Sequence, residues 1–151
     1  MGYTIYLKID GLAGDCADPG HRGWYVLDNF GQSLSCPPVR SEATYVTDLT
    51  LSKFCDRSTP QLAKAAAERR YFKEAVLELA PADGPQVGFL QIRLTKVRIT
   101  SYSICGNRQG DVGAPYENLS IGFEKIEWVA LPGTPEETRA DWVNEAAMAV
   151  N

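Results

Sequence analysis

The sequence feature that most restricts the fold is the long β-like stretch over residues 88–105. Its apolar residues alternate with polar ones and then slip by one position, in the order Leu90, Ile92, Leu94, Val97, Ile99. Fully extended, residues 88–104 would span roughly 56 Å, whereas a compact chain of this length is about 38 Å across. The stretch must therefore bend or project from the body. A one-residue slip favours a β-bulge, and a projecting segment would offer its unpaired backbone to another subunit.

The last long apolar pattern repeats this slip and sets the fold class. Alternation over Leu119, Ile121 and Phe123 gives way to Ile126 and Trp128. Shorter period-two patterns cover residues 3–9, 24–34, 43–51 and 71–80, and a Gly/Asp/Pro-rich loop occupies residues 10–23. Two bent strands among several straight ones predict a mainly β chain. The expected architecture is a closed or nearly closed barrel or sandwich of antiparallel strands, flanked by one α-helix, with a second helix at the C-terminus.

The first predicted helix begins near Ser58 and ends near Arg69 and Arg70. Either Ser58 forms a capping box with Gln61, or Thr59 is the N-cap with Pro60 in the first helical position. The two arginines suit the negative end of the helix dipole.

A second helix is predicted from Thr134, because Pro135 and Glu137 complete a similar N-terminal signature. Its apolar stripe would consist of Trp142, Val143, Ala146 and Val150. This gives two predicted parts, a β-barrel domain over residues 1–132 and a helical extension over residues 133–151. The extension is expected to pack on the domain or on a neighbouring subunit, because its stripe is too apolar to remain bare.

Composition limits the classes of partner. A chain of 151 residues with a net charge of −4 fits one globular domain and disfavours nucleic-acid binding. Its longest apolar runs are far shorter than a membrane span, and its N-terminus lacks a secretory signal pattern. Four widely spaced cysteines favour reduced thiols, although a disulfide remains open.

The chain offers little that resembles catalytic chemistry. Its one histidine, His21, lies near Asp15, Cys16 and Asp18, but zinc sites need four closely spaced ligands. A single histidine also weakens any Ser–His or Cys–His scheme. The glycine-rich residues 106–113 lack a phosphate-loop lysine. We therefore predict no enzyme activity, no cofactor, no metal, and no catalytic or cofactor-binding residue.

Two charged groupings have both a plain and a functional interpretation. Glu124 and Glu127 could form an acid–base pair only if both faced one cleft, and a solvated strand face is the simpler reading. A basic set around the first helix could contact an acidic set on a neighbouring copy, although a solvated helix face is again simpler. The basic set is Arg57, Lys64, Arg69, Arg70 and Lys73, and the acidic set is Glu136, Glu137, Asp141 and Glu145.

Three blocks in order give the chain a family resemblance over about residues 3–129. They are residues 6–14 (YLKIDGLAG), 48–62 (DLTLSKFCDRSTPQL) and 115–128 (PYENLSIGFEKIEW). Together the blocks resemble the haemolysin-coregulated proteins (Hcp), the tube subunits of bacterial type VI secretion. Three features differ from the family pattern: the loop with Cys16 and His21, the helix exit at Arg69–Arg70, where members often have glycine, and the C-terminal extension.

The resemblance implies a β-barrel that forms homohexameric rings, which stack into a hollow tube. It implies a spike protein, a sheath and cargo effectors as partners. The protein would reside in the bacterial cytoplasm before firing and then be secreted without a signal peptide. Two alternatives stay open: a specialised Hcp-like secreted effector or monomeric binding protein, and a phage-like tail tube protein.

Overall fold

The computed structural model describes residues 2–39, 43–83, 87–106 and 115–144. These residues form one α-helix, α1 (Thr59–Ala67), a short 3-10 helix (Pro19–His21), and ten strands. The strands are β1 (Tyr3–Ile9), β2 (Tyr25–Leu27), β3 (Asn29–Gly31), β4 (Leu34–Ser35), β5 (Tyr45–Val46), β6 (Leu49–Phe54), β7 (Tyr71–Pro81), β8 (Leu90–Cys105), β9 (Tyr116–Ala130) and β10 (Thr138–Val143).

Eight of these strands form one antiparallel sheet that closes on itself almost completely. The strand order is β2-β1-β7-β8-β9-β6-β3, and β10 pairs with β9. β2 and β3 lie at opposite ends of this order, yet only Asp28 separates them in the chain. The Asp28 backbone N–H donates to the Ser52 carbonyl at 2.8 Å. The two ends of the sheet must therefore meet, which confirms the predicted nearly closed barrel.

The barrel interior is filled by the inward residues of the long strands. One buried cluster joins them, including Leu7, Leu51, Leu77, Leu94 and Ile126. From α1, Leu62 and Ala65 join the same cluster. The alternation read from the sequence places these side chains inward, so burial of apolar surface fixes the strand faces.

The phase slips occur where predicted, but they are not register-shifting bulges. Lys96 has a positive φ of 51°, and the pairing on either side of it, Thr95 with Lys125 and Val97 with Phe123, keeps one register. The apolar alternation shifts by one residue in β8 and in β9 at the same paired position, so the pairing register of the two strands is preserved. The register shift in this ladder lies instead between Ile99 and Ser101.

The two mid-length predicted strands are broken into pieces. Residues 24–34 form β2, β3 and β4, and residues 43–51 are divided between β5 and β6. The reason is a change of partner: β2 pairs with β1, β3 with β6, and β4 with β5. The period-two pattern continues across these changes, so the sequence does not reveal them.

Helix α1 begins where predicted, but neither predicted cap is used. Ser58 is the N-cap residue and makes no side-chain capping bond. Its backbone N–H and hydroxyl donate to Asp56 Oδ1 instead, at 2.8 and 2.5 Å. At the exit, Arg70 N–H donates to the Ala65 carbonyl and Arg69 N–H to the Ala66 carbonyl. This pair of bonds is a Schellman motif, and Arg69 has the left-handed φ of 55° that such an end requires.

The predicted C-terminal helix is wrong over Thr138–Val143, which form strand β10. Thr134 and Glu137, the capping-box residues, instead close a tight turn: Gly133 N–H donates to Glu137 Oε1 at 2.8 Å. β6 pairs with β9 only over residues 116–121, which leaves residues 125–130 open, and β10 fills that edge. Sheet pairing therefore overrides the local helix signal. Ala146 and Val150, also assigned to that helix, lie outside the described residues.

Candidate assembly surfaces

A buried polar network links the start of α1 to the barrel, and its centre is the fully buried carboxylate of Glu117. Lys53 Nζ and Thr59 Oγ1 each donate to Glu117 Oε2 at 2.7 Å. The Tyr102 hydroxyl donates to Oε1 at 2.5 Å. With both oxygens of Glu117 engaged, this carboxylate positions helix and strands and is not a free base. The sequence pattern does not single out Glu117 as buried and polar, although it has the same parity as the inward Leu119 and Ile121.

The network shifts the pKa values of Tyr102 and Asp56. Burial and the hydrogen bond to the Glu117 carboxylate raise the pKa of Tyr102. Burial alone would raise the pKa of Asp56, but the hydrogen bonds from Ser58 and the Lys53 ammonium outweigh it and lower that pKa. Lys53 lies 3.3 Å from Asp56 Oδ1. Lys53 is therefore shared between two carboxylates, which compensates its burial.

His21 is a packing residue of the N-terminal loop. Its Nε2 contacts Glu78 Oε2, and its ring stacks on that of Tyr6 with the centroids 3.7 Å apart. Nearby Asp15 instead binds Arg57, at 2.6 Å. His21 and Asp15 thus have separate partners, and no cluster of three His, Cys, Asp or Glu suited to a metal occurs in the described ranges.

The other candidate chemical groups are likewise not assembled. Glu124 pairs with Lys96 at 3.1 Å, and Glu127 pairs with Arg139 at 3.5 Å. Each glutamate thus has its own cation at the barrel surface. Of the glycine-rich residues 106–113, only Gly106 belongs to the described residues.

The proposed acidic partner surface is partly neutralised within the chain. The backbone N–H of Gly133 and the nearby Arg139 lower the pKa of Glu137. Asp141 pairs with Lys125 at 3.2 Å. Glu145 lies outside the described residues. An electrostatic contact between copies through this surface stays a prediction, with less free charge than the sequence suggested.

Exposed apolar side chains collect at both ends of the barrel. We call Tyr3, Val87, Phe89 and Leu131 the N-terminal rim; the rings of Tyr3 and Phe89 pack edge to face, 6.1 Å apart. We call Phe54, Ile104 and Tyr116 the helix-side rim; Phe54 and Tyr116 are direct cross-strand partners. The 16 residues of β8 run from one rim to the other, roughly 50 Å along the strand. Apolar surface at opposite ends is typical of molecules that meet end to end.

The second surface is β10, in which all six residues are exposed. Trp142 pairs with the core residue Ile126 and shares its face of the sheet, yet 47% of Trp142 is exposed. β10 attaches to β9 by its ladder and by the exposed ion pairs Lys125–Asp141 and Arg139–Glu127. In the described structure its other edge has no paired strand. Such an edge is a template for another chain.

No helix of the described ranges is long and apolar enough to cross a bilayer. All four cysteines carry free thiols in the structure.

Comparison with known proteins gives one consistent result. The family model described as "Type VI secretion system effector, Hcp" matches residues 6–129. Protein hcp1 of Pseudomonas aeruginosa is 32% identical over 135 residues, covering 84% of this chain and 82% of that protein.

Solved structures agree in fold. Hcp1 from Salmonella typhimurium matches with a TM-score of 0.82 at 23% identity, covering 97% of each chain. A type six secretion system protein matches with a TM-score of 0.85 at 19% identity, covering 96% of this chain and 98% of that one. The secreted protein Hcp3 from Pseudomonas aeruginosa gives 0.70 at 16% identity, covering 93% and 99%. At these identities the likeness concerns the fold alone.

Proposed function

Because the chain belongs to the Hcp family of type VI secretion proteins, we propose that it is a structural subunit of the secretion tube. Six copies close into a ring, and rings stack into a hollow tube that carries effectors. The spike protein and the sheath are its other partners. The protein waits in the bacterial cytoplasm and leaves the cell with the tube, without a signal peptide.

The observation that carries this proposal is the pair of apolar rims at opposite ends of the barrel. A subunit that stacks head to tail needs two different end surfaces, both of which lose water on contact. Phe54 and Tyr116 at one end and Tyr3 and Phe89 at the other supply aromatic side chains, which dominate the energetics of interfaces.

A structural role without catalysis agrees with how the polar groups are used. Glu117 accepts hydrogen bonds from three side chains, and Glu124 and Glu127 each face a cation. Their arrangement supports positioning of the barrel and not acid–base chemistry.

The first experiment measures the mass and shape of the purified protein. Light scattering should give six times the 16.6 kDa chain mass, about 100 kDa, and negative-stain microscopy should show rings with a central hole. A protein that stays at the monomer mass at high concentration contradicts the proposal and favours a monomeric binding protein.

The second experiment separates stacking from ring closure. Phe54→Asp and Tyr3→Asp place a charge in each rim in turn, and both should shorten or abolish stacks while leaving single rings. Lys8→Asp, a matched change at an exposed position of β1 away from both rims, should leave stacking intact. Stacks that survive both rim variants would show that the rims are not the stacking surfaces.

A further inference from the structure

Strand β10 contributes no buried side chain to the barrel. All six of its residues are exposed, and among the described strands it pairs only with β9. Two exposed ion pairs, Lys125–Asp141 and Arg139–Glu127, accompany the ladder, and exposed pairs add little to stability. A segment with few buried apolar contacts and with solvent-exposed backbone hydrogen bonds opens at a low free energy, well before the whole fold does.

The connection between β9 and β10 contains two residues with a left-handed backbone. Leu131 has a φ of 50° and Gly133 a φ of 76°. Glycine adopts such a φ freely, whereas a bulky residue such as leucine is strained there. Within this turn, Thr134 Oγ1 donates to the Leu131 carbonyl at 2.8 Å. When β10 leaves β9, the φ of Leu131 can relax, so the strain in the turn favours release and the turn can serve as a hinge.

We propose that β10 and Asn144 form a detachable strap, which leaves β9 as a unit while the remaining barrel stays folded. Asn144 fixes the far end of the strap: its backbone N–H donates to the Glu124 carbonyl at 2.7 Å, and its side-chain amide donates to the Phe123 carbonyl at 3.2 Å. Release bares the β9 edge, whose unpaired backbone groups can then take up an extended segment of another chain. The strap is a conformational device that covers or opens this edge, and its release requires no second copy.

The ladder shows which amides of β9 report the release. In an antiparallel sheet the backbone groups of successive residues point to opposite neighbouring strands. Glu124 faces β10 through its bond with Asn144, whereas the Leu131 N–H donates to the Phe89 carbonyl on the β8 side. The pairing of β9 continues unbroken between these two positions. We call Ile126, Trp128 and Ala130 the strap-facing amides, and Lys125, Glu127 and Val129 the β8-facing amides.

Residue-resolved hydrogen exchange of the purified full-length protein tests the strap. After correction for intrinsic rates, the strap-facing amides should exchange at least about tenfold faster than the β8-facing amides, because release exposes the first set alone. The two sets alternate along one strand, so each is the matched control for the other. Equal protection of the two sets, whether both exchange slowly or both exchange fast, would overturn the proposal.

A reversible lock shows whether release of β10 causes the fast exchange. Glu127 and Asp141 are direct partners in the β9–β10 ladder. They form a non-hydrogen-bonded pair, in which the Cα atoms lie about 4.5 Å apart, within the range that a disulfide spans. Glu127→Cys with Asp141→Cys, in a chain whose exposed Cys36 is replaced by serine, should when oxidised slow the strap-facing amides to the rate of the β8-facing amides. Reduction should restore the fast exchange, and a lock without effect would contradict the strap.

A variant at the far end of the strap gives an independent measurement. Asn144→Ala removes the side-chain bond to the Phe123 carbonyl, and the loss of one such bond shifts an equilibrium by about two- to tenfold. The strap-facing amides should exchange faster by this factor while the β8-facing amides stay unchanged. Lys8→Ala, at an exposed position of β1, should change neither set. If Asn144→Ala accelerates both sets alike, β10 unfolds only together with the barrel and the strap is rejected.

Discussion

The buried pair of Lys53 and Glu117 gives the sharpest stability prediction. Lys53→Met removes the ammonium that donates to Glu117 Oε2 at 2.7 Å and leaves the carboxylate buried with two hydroxyl donors. Breaking one side of a buried ion pair costs about 3–5 kcal/mol, because the remaining charge is uncompensated. Two surviving hydrogen bonds to Glu117 place the expected cost near the lower value, about 3 kcal/mol. Glu117→Gln should lower the unfolding free energy by about the same amount, because Asp56, 3.3 Å from Lys53, still compensates part of the ammonium charge.

The double variant Lys53→Met with Glu117→Gln removes both charges and keeps one carbonyl oxygen, which accepts from either Thr59 or Tyr102. The other hydroxyl must turn to accept from the new amide nitrogen. The loss of unfolding free energy in the double variant should be about 2 kcal/mol smaller than the sum of the losses in the two single variants, a difference that a double-mutant cycle measures. The assay is urea unfolding at one fixed protein concentration, because assembly adds to the apparent stability. At roughly 2–4 °C per kcal/mol for a chain of this size, each single variant should lower Tm by about 6–12 °C.

The matched control is Lys125→Met, which breaks an exposed ion pair with Asp141. Exposed pairs contribute about 0–1 kcal/mol, so this variant should be nearly neutral. If Lys53→Met costs no more than Lys125→Met, the buried network does not support the fold and the reasoning is wrong.

Three further predictions rest on single positions. Arg69→Gly should raise the unfolding free energy by about 1 kcal/mol in urea melts, since Arg69 holds φ 55° where glycine is unstrained; an unchanged midpoint would contradict this. Gly88→Ala should cost about 1–3 kcal/mol, because its Cβ would lie 2.4 Å from Glu78 Cδ, and a neutral melt would mean that Glu78 moves aside easily. Asp56 has a lowered pKa in the fold, so its stabilisation is present above the unfolded value of 3.8 and is lost as pH falls through the folded value. Stability measured between pH 6 and 2.5 should therefore fall less steeply at the acid end for Asp56→Asn than for the parent, and parallel curves would refute the linkage.

The long strands were predictable from the sequence, because their apolar period is a local property. Alternation over residues 3–9 and 71–80 marked β1 and β7. The slips between Leu94 and Val97 and between Phe123 and Ile126 fall at one level of the β8–β9 ladder, where Lys96 has a positive φ. The start of α1 was equally predictable, because Pro60 fits the first turn of a helix. The ordered motif blocks identified the family.

Only the tertiary structure decided the features that depend on contacts between residues far apart in the sequence. Thr134, Pro135 and Glu137 signal a helix, yet such local signals contribute about 1 kcal/mol each. The open edge of β9 offered six residues of ladder pairing instead. Glu117 is buried because Lys53, 64 residues away in sequence, compensates its charge. Local pattern determines which residues can form a strand; which edge is left open, and which buried charge finds a partner, depends on the closed barrel.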